Sequence, residues 1–158
     1  MASNTACLDT NILIYAVQLP NYSSEPELVH RAHSLFQDLT KKKITTVVPS
    51  MVMAEFTYGL TGQALVAASN ALSTIRILPF DYAAVQQYQI INAIVPLAAP
   101  TRSIRIGLNM DRMIIATALA NNVDCFYTHD GDCMSVATQC RLNALDLPNL
   151  PPEQMILL

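Results

Sequence analysis

The sequence predicts an α/β fold, a three-layer α/β/α sandwich around a mostly parallel sheet of four or five strands. Short apolar segments rich in β-branched residues alternate along the chain with longer segments whose apolar residues recur at helical spacing. Strands that alternate with helices favour a parallel sheet covered by helices. A length of 158 residues without a repeat or linker predicts a single domain spanning residues 1–158.

The predicted strands are short apolar runs bounded by polar or turn-forming residues. In chain order they are Thr5–Leu8, Ile44–Val48, Ile75–Leu78, Cys125–Thr128 and Asn143–Leu147. Each of these runs is followed or preceded by a residue that favours a turn or caps a helix.

The predicted helices have apolar residues every three or four positions, and several begin at a capping residue. In chain order they are Asn11–Gln18, Glu27–Lys42, a helix that starts at Pro49–Ser50 and ends near Leu60, Gln63–Thr74, Tyr82 to about Val95, and Asn109–Asn121. Two proline-containing segments, Pro20–Pro26 and Pro96–Gly107, are predicted to be loops.

The composition predicts a protein that has a partner. Apolar residues make up 52% of the chain and charged residues 13%, about half the usual charged share. A surface this poor in charge predicts a permanent partner, either a second copy or another protein. The net charge of −3 argues against strong nonspecific attraction to nucleic acid, although it allows a local basic rim. The apolar runs are too short to cross a bilayer and no signal-peptide pattern is present, so a cytoplasmic location is expected.

Four carboxylates end or interrupt apolar segments: Asp9, Glu55, Asp111 and Asp130. Asp9 and Asp130 each follow a predicted strand, and open α/β sheets bind ligands outside the carboxyl ends of their strands. Glu55 is predicted about two turns into a helix, and Asp111 in the first turn of one. Each residue also has a purely structural explanation, namely helix capping, solvent exposure, the helix dipole or an ordinary turn, respectively.

Together the four carboxylates indicate a metal site. Carboxylates packed at one sheet edge repel one another and raise one another's pKa. A bound divalent cation compensates this repulsion. Oxygen ligands without an aligned His or Cys set favour Mg²⁺ or Mn²⁺ over zinc, and Mg²⁺ commonly works with substrate phosphates. Two other phosphate-handling folds fit poorly. An aspartyl phosphatase needs an Asp where Asn11 stands, and a nucleotide-binding fold needs a glycine-rich loop that a chain with four glycines lacks.

Four sequence blocks resemble the PIN domain family, specifically the single-domain form of VapC-type toxins. The blocks are Leu8–Ala16, Val48–Gly59, Asp111–Ala120 and Tyr127–Asp132. Their order and intervals are similar to those of the family over nearly the whole chain. The fourth block departs from the family pattern at His129, Gly131 and Cys133, which leaves open whether Asp130 or Asp132 completes the site.

The resemblance implies a metal-dependent endoribonuclease that uses Mg²⁺ or Mn²⁺. The metal site would comprise Asp9, Glu55, Asp111 and Asp130, with Asp132 as a possible fifth member. Supporting hydrogen bonds would come from Thr10, Asn11 and Thr128. RNA phosphate contacts are expected from Arg102, Arg105 and Arg112. The expected partners are RNA, a second copy of the chain and a small antitoxin protein; the alternative is a catalytically silent PIN-like module that binds RNA or protein.

Overall fold

A five-stranded sheet runs through the part of the chain that the structure describes. The structure is a computed structural model and describes residues 4–98 and 101–150. The strands, named β1 to β5 in chain order, are Thr5–Leu8, Thr45–Pro49, Arg76–Leu78, Cys125–Tyr127 and Ala144–Leu145. Their order across the sheet is β3-β2-β1-β4-β5, and every neighbouring pair is parallel. The predicted α/β fold is confirmed, with a fully parallel sheet.

Helices connect the strands. They are named α1 to α7: Thr10–Val17, Pro26–Lys41, Ser50–Thr57, Gly62–Ala71, Tyr82–Ile94, Arg102–Ala120 and Gly131–Gln139. A short 3-10 turn, Pro20–Tyr22, lies between α1 and α2. The chain advances from β1 to β3 in one direction across the sheet and reaches β4 and β5 in the other. Because parallel crossovers are right-handed, this reversal places helices on both faces of the sheet.

The core surrounds the three inner strands of the sheet. Cys7 and Leu8 of β1, Val47 and Val48 of β2, and Phe126 of β4 are fully buried. Central strands of a parallel sheet are covered on both faces, which explains why these runs are continuously apolar rather than alternating. Among the described residues, no helix is both long enough and apolar enough to span a bilayer.

The segment Pro96–Gly107 was predicted to be a loop, and this prediction is wrong from Arg102 onward. Helix α6 begins there, and Thr101 caps it by accepting a hydrogen bond from the Ile104 N–H at 3.2 Å. Gly107 lies inside the helix, where glycine costs about 1 kcal/mol relative to alanine. The cap and the packing of α6 against α5 offset that cost. Residues 99–100 of the predicted loop lie outside the described residues.

The sequence also did not predict α7. Its start was interpreted as an Asp- and Gly-rich turn, but Asp130 is the N-cap and its Oδ1 accepts from the Cys133 N–H at 2.8 Å. Cys133 and Ala137 are buried one helical turn apart. Their spacing was the available signal for a helix.

Candidate functional site

The carboxyl ends of β1 and β4 lie side by side at a change in the direction of the chain. From β1 the chain leads to β2 on one side, and from β4 it leads to β5 on the other. Ligands of open α/β sheets bind at such a switch point. Asp9 directly follows β1, and its N–H donates to the carbonyl of Tyr127 at the end of β4, at 3.0 Å. The two strand ends are therefore held together beside Asp9.

Asp9 is the fixed centre of this edge. Its side chain is 5% exposed. Oδ1 accepts from the Thr10 N–H at 2.7 Å, so Asp9 caps α1. Oδ2 accepts from the hydroxyl of Thr128 at 2.6 Å and from the side-chain amide of Asn11 at 3.2 Å. Three donors thus hold one orientation of the carboxylate.

Thr128 and Asn11 also hold the loop after β4. The hydroxyl of Thr128 accepts from the Asp130 N–H at 3.1 Å, and Thr128 is fully buried. Oδ1 of Asn11 accepts from the His129 N–H at 3.1 Å. Thr128 and Asn11 therefore fix the position of Asp9 relative to the backbone that carries Asp130.

Glu55 reaches the site from α3. The hydroxyl of Thr10 donates to its Oε2 at 2.5 Å, which ties the glutamate to the start of α1. Glu55 is exposed, as are Asp130 and Asp132. Glu55 and Asp130 are exposed, although they interrupt or end apolar segments of the sequence, because the outer face of the short helix α3 and the first turn of α7 face solvent. Asp9 is buried, and Asp111 is half-buried.

Asp111 lies in the middle of α6, not in a first helical turn as the sequence predicted. It is the tenth of 19 helical residues, so the helix dipole does not explain its presence. Its pKa is raised to about 7, first by burial and then by the charges of four other carboxylates. Those four are Asp9, Asp130, Glu55 and Asp132. The other four predicted acids therefore all act on Asp111 at this edge, and Glu55 and Asp130 act on Asp9 as well.

The site carries uncompensated negative charge. Burial is the main reason why the pKa of Asp9 is raised; the hydrogen bonds from Thr128 and Thr10 oppose the shift, and the charges of Glu55 and Asp130 add to it. None of the ion pairs within residues 4–98 and 101–150 involves any of the five carboxylates.

The donor set fits a hard divalent cation, because it consists of carboxylate oxygens in a site without a basic partner. No three His, Cys, Asp or Glu side chains in the described ranges are arranged so that they could hold a metal ion as they stand. Binding would therefore require the exposed acids to turn toward Asp9, which is itself fixed. The exposure of Glu55, Asp130 and Asp132 leaves room for this movement.

Comparison with known proteins agrees with this fold. A family model described as PIN domain matches residues 6–138. The chain belongs to the PIN domain family. The match spans β1 to α7 and includes all five acids. No curated protein matches the chain.

Three solved structures share the PIN-domain fold of this chain. The VapBC2 structure from Rickettsia felis, bound to a DNA fragment from its promoter, aligns with a TM-score of 0.65 and 19% identity over 91% of this chain and 99% of that chain. A toxin–antitoxin complex from Klebsiella pneumoniae aligns with a TM-score of 0.62 and 16% identity over 92% and 99%, respectively. VapC20 from Mycobacterium tuberculosis, a toxin that cleaves the sarcin–ricin loop, aligns with a TM-score of 0.55 and 14% identity over 82% and 93%.

The three arginines that were expected to contact phosphate have different places in this PIN domain. Arg112 is 4% exposed, and its Nη1 donates to Oδ1 of Asn92 and to the carbonyl of Val95, each at 2.5 Å. Its guanidinium therefore joins α6 to the end of α5, and the expected phosphate contact of Arg112 is corrected to a structural role. Arg102 and Arg105 are exposed in the first turns of α6.

Sequence reasoning missed a polar network that supports the loop after β4 of the PIN domain. Nδ1 of His129 lies 2.7 Å from Oδ1 of Asp146, and Nη2 of Arg31 lies 3.4 Å from Oδ2. Arg31 also donates to the carbonyls of Leu147 and Pro148. Burial alone would raise the pKa of Asp146, but its hydrogen bonds and the nearby cations lower it. The partners are far apart in sequence, and no local pattern reveals them.

Replacing Asp111 should stabilise the metal-free PIN domain at neutral and alkaline pH. The pKa of Asp111 in the folded chain is about 7, against an ordinary value of 3.8, so between these values the folded state binds more protons than the unfolded state. The free energy of unfolding therefore falls as the pH rises through this window and levels off above about 7. Asp111→Asn removes this loss, so its Tm should exceed that of the wild type by more at pH 8 than at pH 5.

Thermal unfolding in EDTA at the two pH values measures this difference. Asp38→Asn, on the exposed face of α2, is the control and should show no comparable dependence on pH. A Tm increment for Asp111→Asn that is equal at pH 5 and pH 8 would contradict the assigned ionisation.

Proposed function

We propose that the protein is a metal-dependent endoribonuclease that hydrolyses RNA phosphodiester bonds with Mg²⁺ or Mn²⁺. The observation that carries the proposal is the placement of Asp9, held in one orientation by three hydrogen-bond donors, at the switch point of a PIN-domain sheet. The charges of Glu55 and Asp130 act on Asp9 there, and burial and the other four carboxylates raise the pKa of Asp111. A protein without a cationic ligand gains nothing from gathering so much negative charge in one place, whereas perturbed carboxylates in a cleft are characteristic of functional sites.

The role that we propose for each acid depends on how firmly the structure holds its side chain. Asp9 and Asp111 would bind the ion directly, because Asp9 has one fixed orientation and its charge acts on Asp111 more strongly than that of any other carboxylate. Glu55, which Thr10 holds through one oxygen, would use the other oxygen to orient a water or accept its proton. Asp130, with Asp132 beside it, would complete the set from the loop after β4. When bound, a divalent ion supplies Lewis acidity that makes water more acidic and neutralises phosphate charge.

Arg102 and Arg105 would bind phosphates that flank the cleaved bond. The helical rise places them about 14 Å and about 9 Å along α6 from Asp111, and the helical twist turns both away from its face. They are therefore not in position for the scissile phosphate. Their contacts would fall on neighbouring nucleotides, where long exposed guanidinium groups are suited to phosphate oxygens.

We also propose that the chain is the toxin of a type II toxin–antitoxin pair and that it forms a homodimer. An apolar groove of about 580 Å³ supports a protein partner; its lining comes from α1, α3, α4 and the segment between them, and includes Val17, Phe56, Leu60 and Ala67. An amphipathic helix of an antitoxin is a suitable occupant of such a groove. Native mass spectrometry of the chain alone and with the product of an adjacent small gene measures both assemblies.

A catalytically silent PIN module is the second candidate, because no three acidic side chains of the described residues are arranged to hold a metal as they stand.

A measurement of metal binding distinguishes the nuclease from the silent module. The nuclease should bind Mn²⁺ in a calorimetric titration and cleave single-stranded RNA in Mn²⁺ but not in EDTA, with activity restored by excess metal. The matched variant Asp111→Asn should weaken Mn²⁺ binding by roughly 10-fold or more, since it removes one charged ligand. Absence of Mn²⁺ binding and of metal-dependent cleavage would favour the silent module.

A further inference from the structure

A polar pocket opens directly beside the carboxylate site, on the other side of Asn11. Its volume is about 260 Å³. One wall is the face of α1 that carries Asn11, Ile14 and Tyr15, together with the C-cap residue Gln18, at the spacing of consecutive helical turns. The other wall is the segment from Tyr22, the last residue of the 3-10 turn, to Glu25. Asn11 lines the pocket and also donates to Asp9, so whatever occupies the pocket lies next to the acids.

The walls of the pocket are held in place by contacts that the cleavage site does not need. The hydroxyl of Tyr15 donates to Oε2 of Glu25 at 3.0 Å and so joins the two walls. The ring of Tyr15 meets the ring of His129 edge-on, with their centroids 6.2 Å apart. His129 is itself bound to Asp146 at 2.7 Å. The pocket therefore has a preformed shape, linked to the loop that carries Asp130.

Several groups in the pocket are available to a ligand. The side-chain amide of Gln18 and the hydroxyl of Ser24 make no hydrogen bond to another residue within ranges 4–98 and 101–150. Glu25 uses only one carboxylate oxygen on Tyr15, which leaves the other as an acceptor. Tyr22 stands at the rim with 88% of its surface exposed. An exposed aromatic ring beside hydrogen-bonding groups is how proteins hold an unpaired base of single-stranded RNA.

We propose that this pocket binds one unpaired guanine base of the substrate RNA, adjacent to the cleaved bond. This inference rests on the proposed nuclease function and names a determinant of its specificity. The carboxylate of Glu25 repels phosphate, but its free oxygen accepts a hydrogen bond from the N1–H of guanine, and the second lone pair of Oε2 accepts one from the amino group. Adenine presents a lone pair at N1 in the same place and is disfavoured. The Gln18 amide is the donor for guanine O6, and Tyr22 stacks on the base.

The test uses short uridine-rich RNAs that contain one guanosine or one adenosine. Binding is measured by fluorescence anisotropy in EDTA, where the RNA stays intact, and cleavage positions are mapped in Mn²⁺. The guanosine RNA should bind roughly 10-fold tighter and be cut next to the guanosine.

Glu25→Gln keeps an acceptor for Tyr15 but should remove most of this preference. Tyr22→Ala should weaken binding of both RNAs by roughly 5-fold or more. Glu27→Gln and Tyr82→Ala, both exposed and outside the pocket, are the matched controls and should change neither value.

The outcomes separate this inference from the function on which it rests. The protein could bind the guanosine RNA selectively, lose this preference in Glu25→Gln, and show no Mn²⁺-dependent cleavage. That result would reject the nuclease function and support the guanine-binding pocket. Mn²⁺-dependent cleavage with equal use of guanosine and adenosine, or with a preference that Glu25→Gln leaves unchanged, would reject the pocket and keep the nuclease. Failure of the RNAs to bind would reject the pocket as well. An effect of Glu25→Gln on an arginine-containing peptide, with no effect on RNA, would overturn the proposal and assign the pocket to a protein partner.

Discussion

Asp9→Asn should reduce the rate of RNA cleavage by at least about 100-fold without destabilising the fold. Asparagine has nearly the same shape as aspartate, so α1 keeps a capping side chain. The substitution removes the charge that a divalent ion needs at the one carboxylate with a fixed orientation. Burial raises the pKa of Asp9, which means that its charge opposes folding of the metal-free chain at neutral pH. Loss of that charge favours folding, but the amide replaces the oxygen that accepts from Thr128 and Asn11 by a donor. The two effects oppose each other, so the Tm in EDTA should stay close to that of the wild type.

Two measurements on the same preparations test this result: initial rates of cleavage in saturating Mn²⁺ and thermal unfolding in EDTA. Asp38→Asn is the control, because it removes an exposed carboxylate from α2 and should alter neither quantity. Cleavage by Asp9→Asn at the wild-type rate, with contaminating nuclease excluded by a mock purification, would reject the assignment of Asp9. A large drop in Tm would instead give Asp9 a mainly structural role.

The sequence predicts the sheet well, because parallel strands leave a strong local signature. Thr5–Leu8 was predicted to the residue, since an apolar run ends there at a capping aspartate. The location of the candidate site followed from topology: residues that follow strands of a parallel sheet share one edge. The sequence therefore placed Asp9 and Asp130 together although most of the chain separates them.

The contacts that determine what each acid does could not be predicted in the same way. Thr128 and Asp9 are 119 positions apart, and their hydrogen bond depends on the register between β1 and β4. Helix α6 was predicted too short because two prolines and Gly107 outweighed the capping signal of Thr101. That error placed Asp111 in a first helical turn. It also meant that the burial of Arg112 between α6 and the end of α5 was not predicted. Adjacent residues of a helix point about 100° apart, so one can face the site while the next is buried against α5.

Arg112→Met should lower the free energy of unfolding by about 2–4 kcal/mol. Methionine fills much of the same space, but it leaves Oδ1 of Asn92 and the carbonyl of Val95 without the donor that each has in the folded chain. Val95 is the C-cap of α5, where carbonyl groups lack partners within the helix and a positive charge is favourable. Arg112 therefore closes the end of α5 and fixes it against α6, the helix that carries Asp111.

Urea denaturation of the metal-free protein measures this loss as a shift of the midpoint at constant slope. Arg105→Met is the matched control, because Arg105 lies on the same helix seven residues earlier and is exposed; its substitution should change stability by less than about 0.5 kcal/mol. If Arg112 instead serves RNA phosphate, Arg112→Met should weaken RNA binding and leave the urea midpoint where it is. The buried guanidinium leads us to expect the opposite pattern: a lower midpoint, and RNA binding per folded molecule close to that of the wild type.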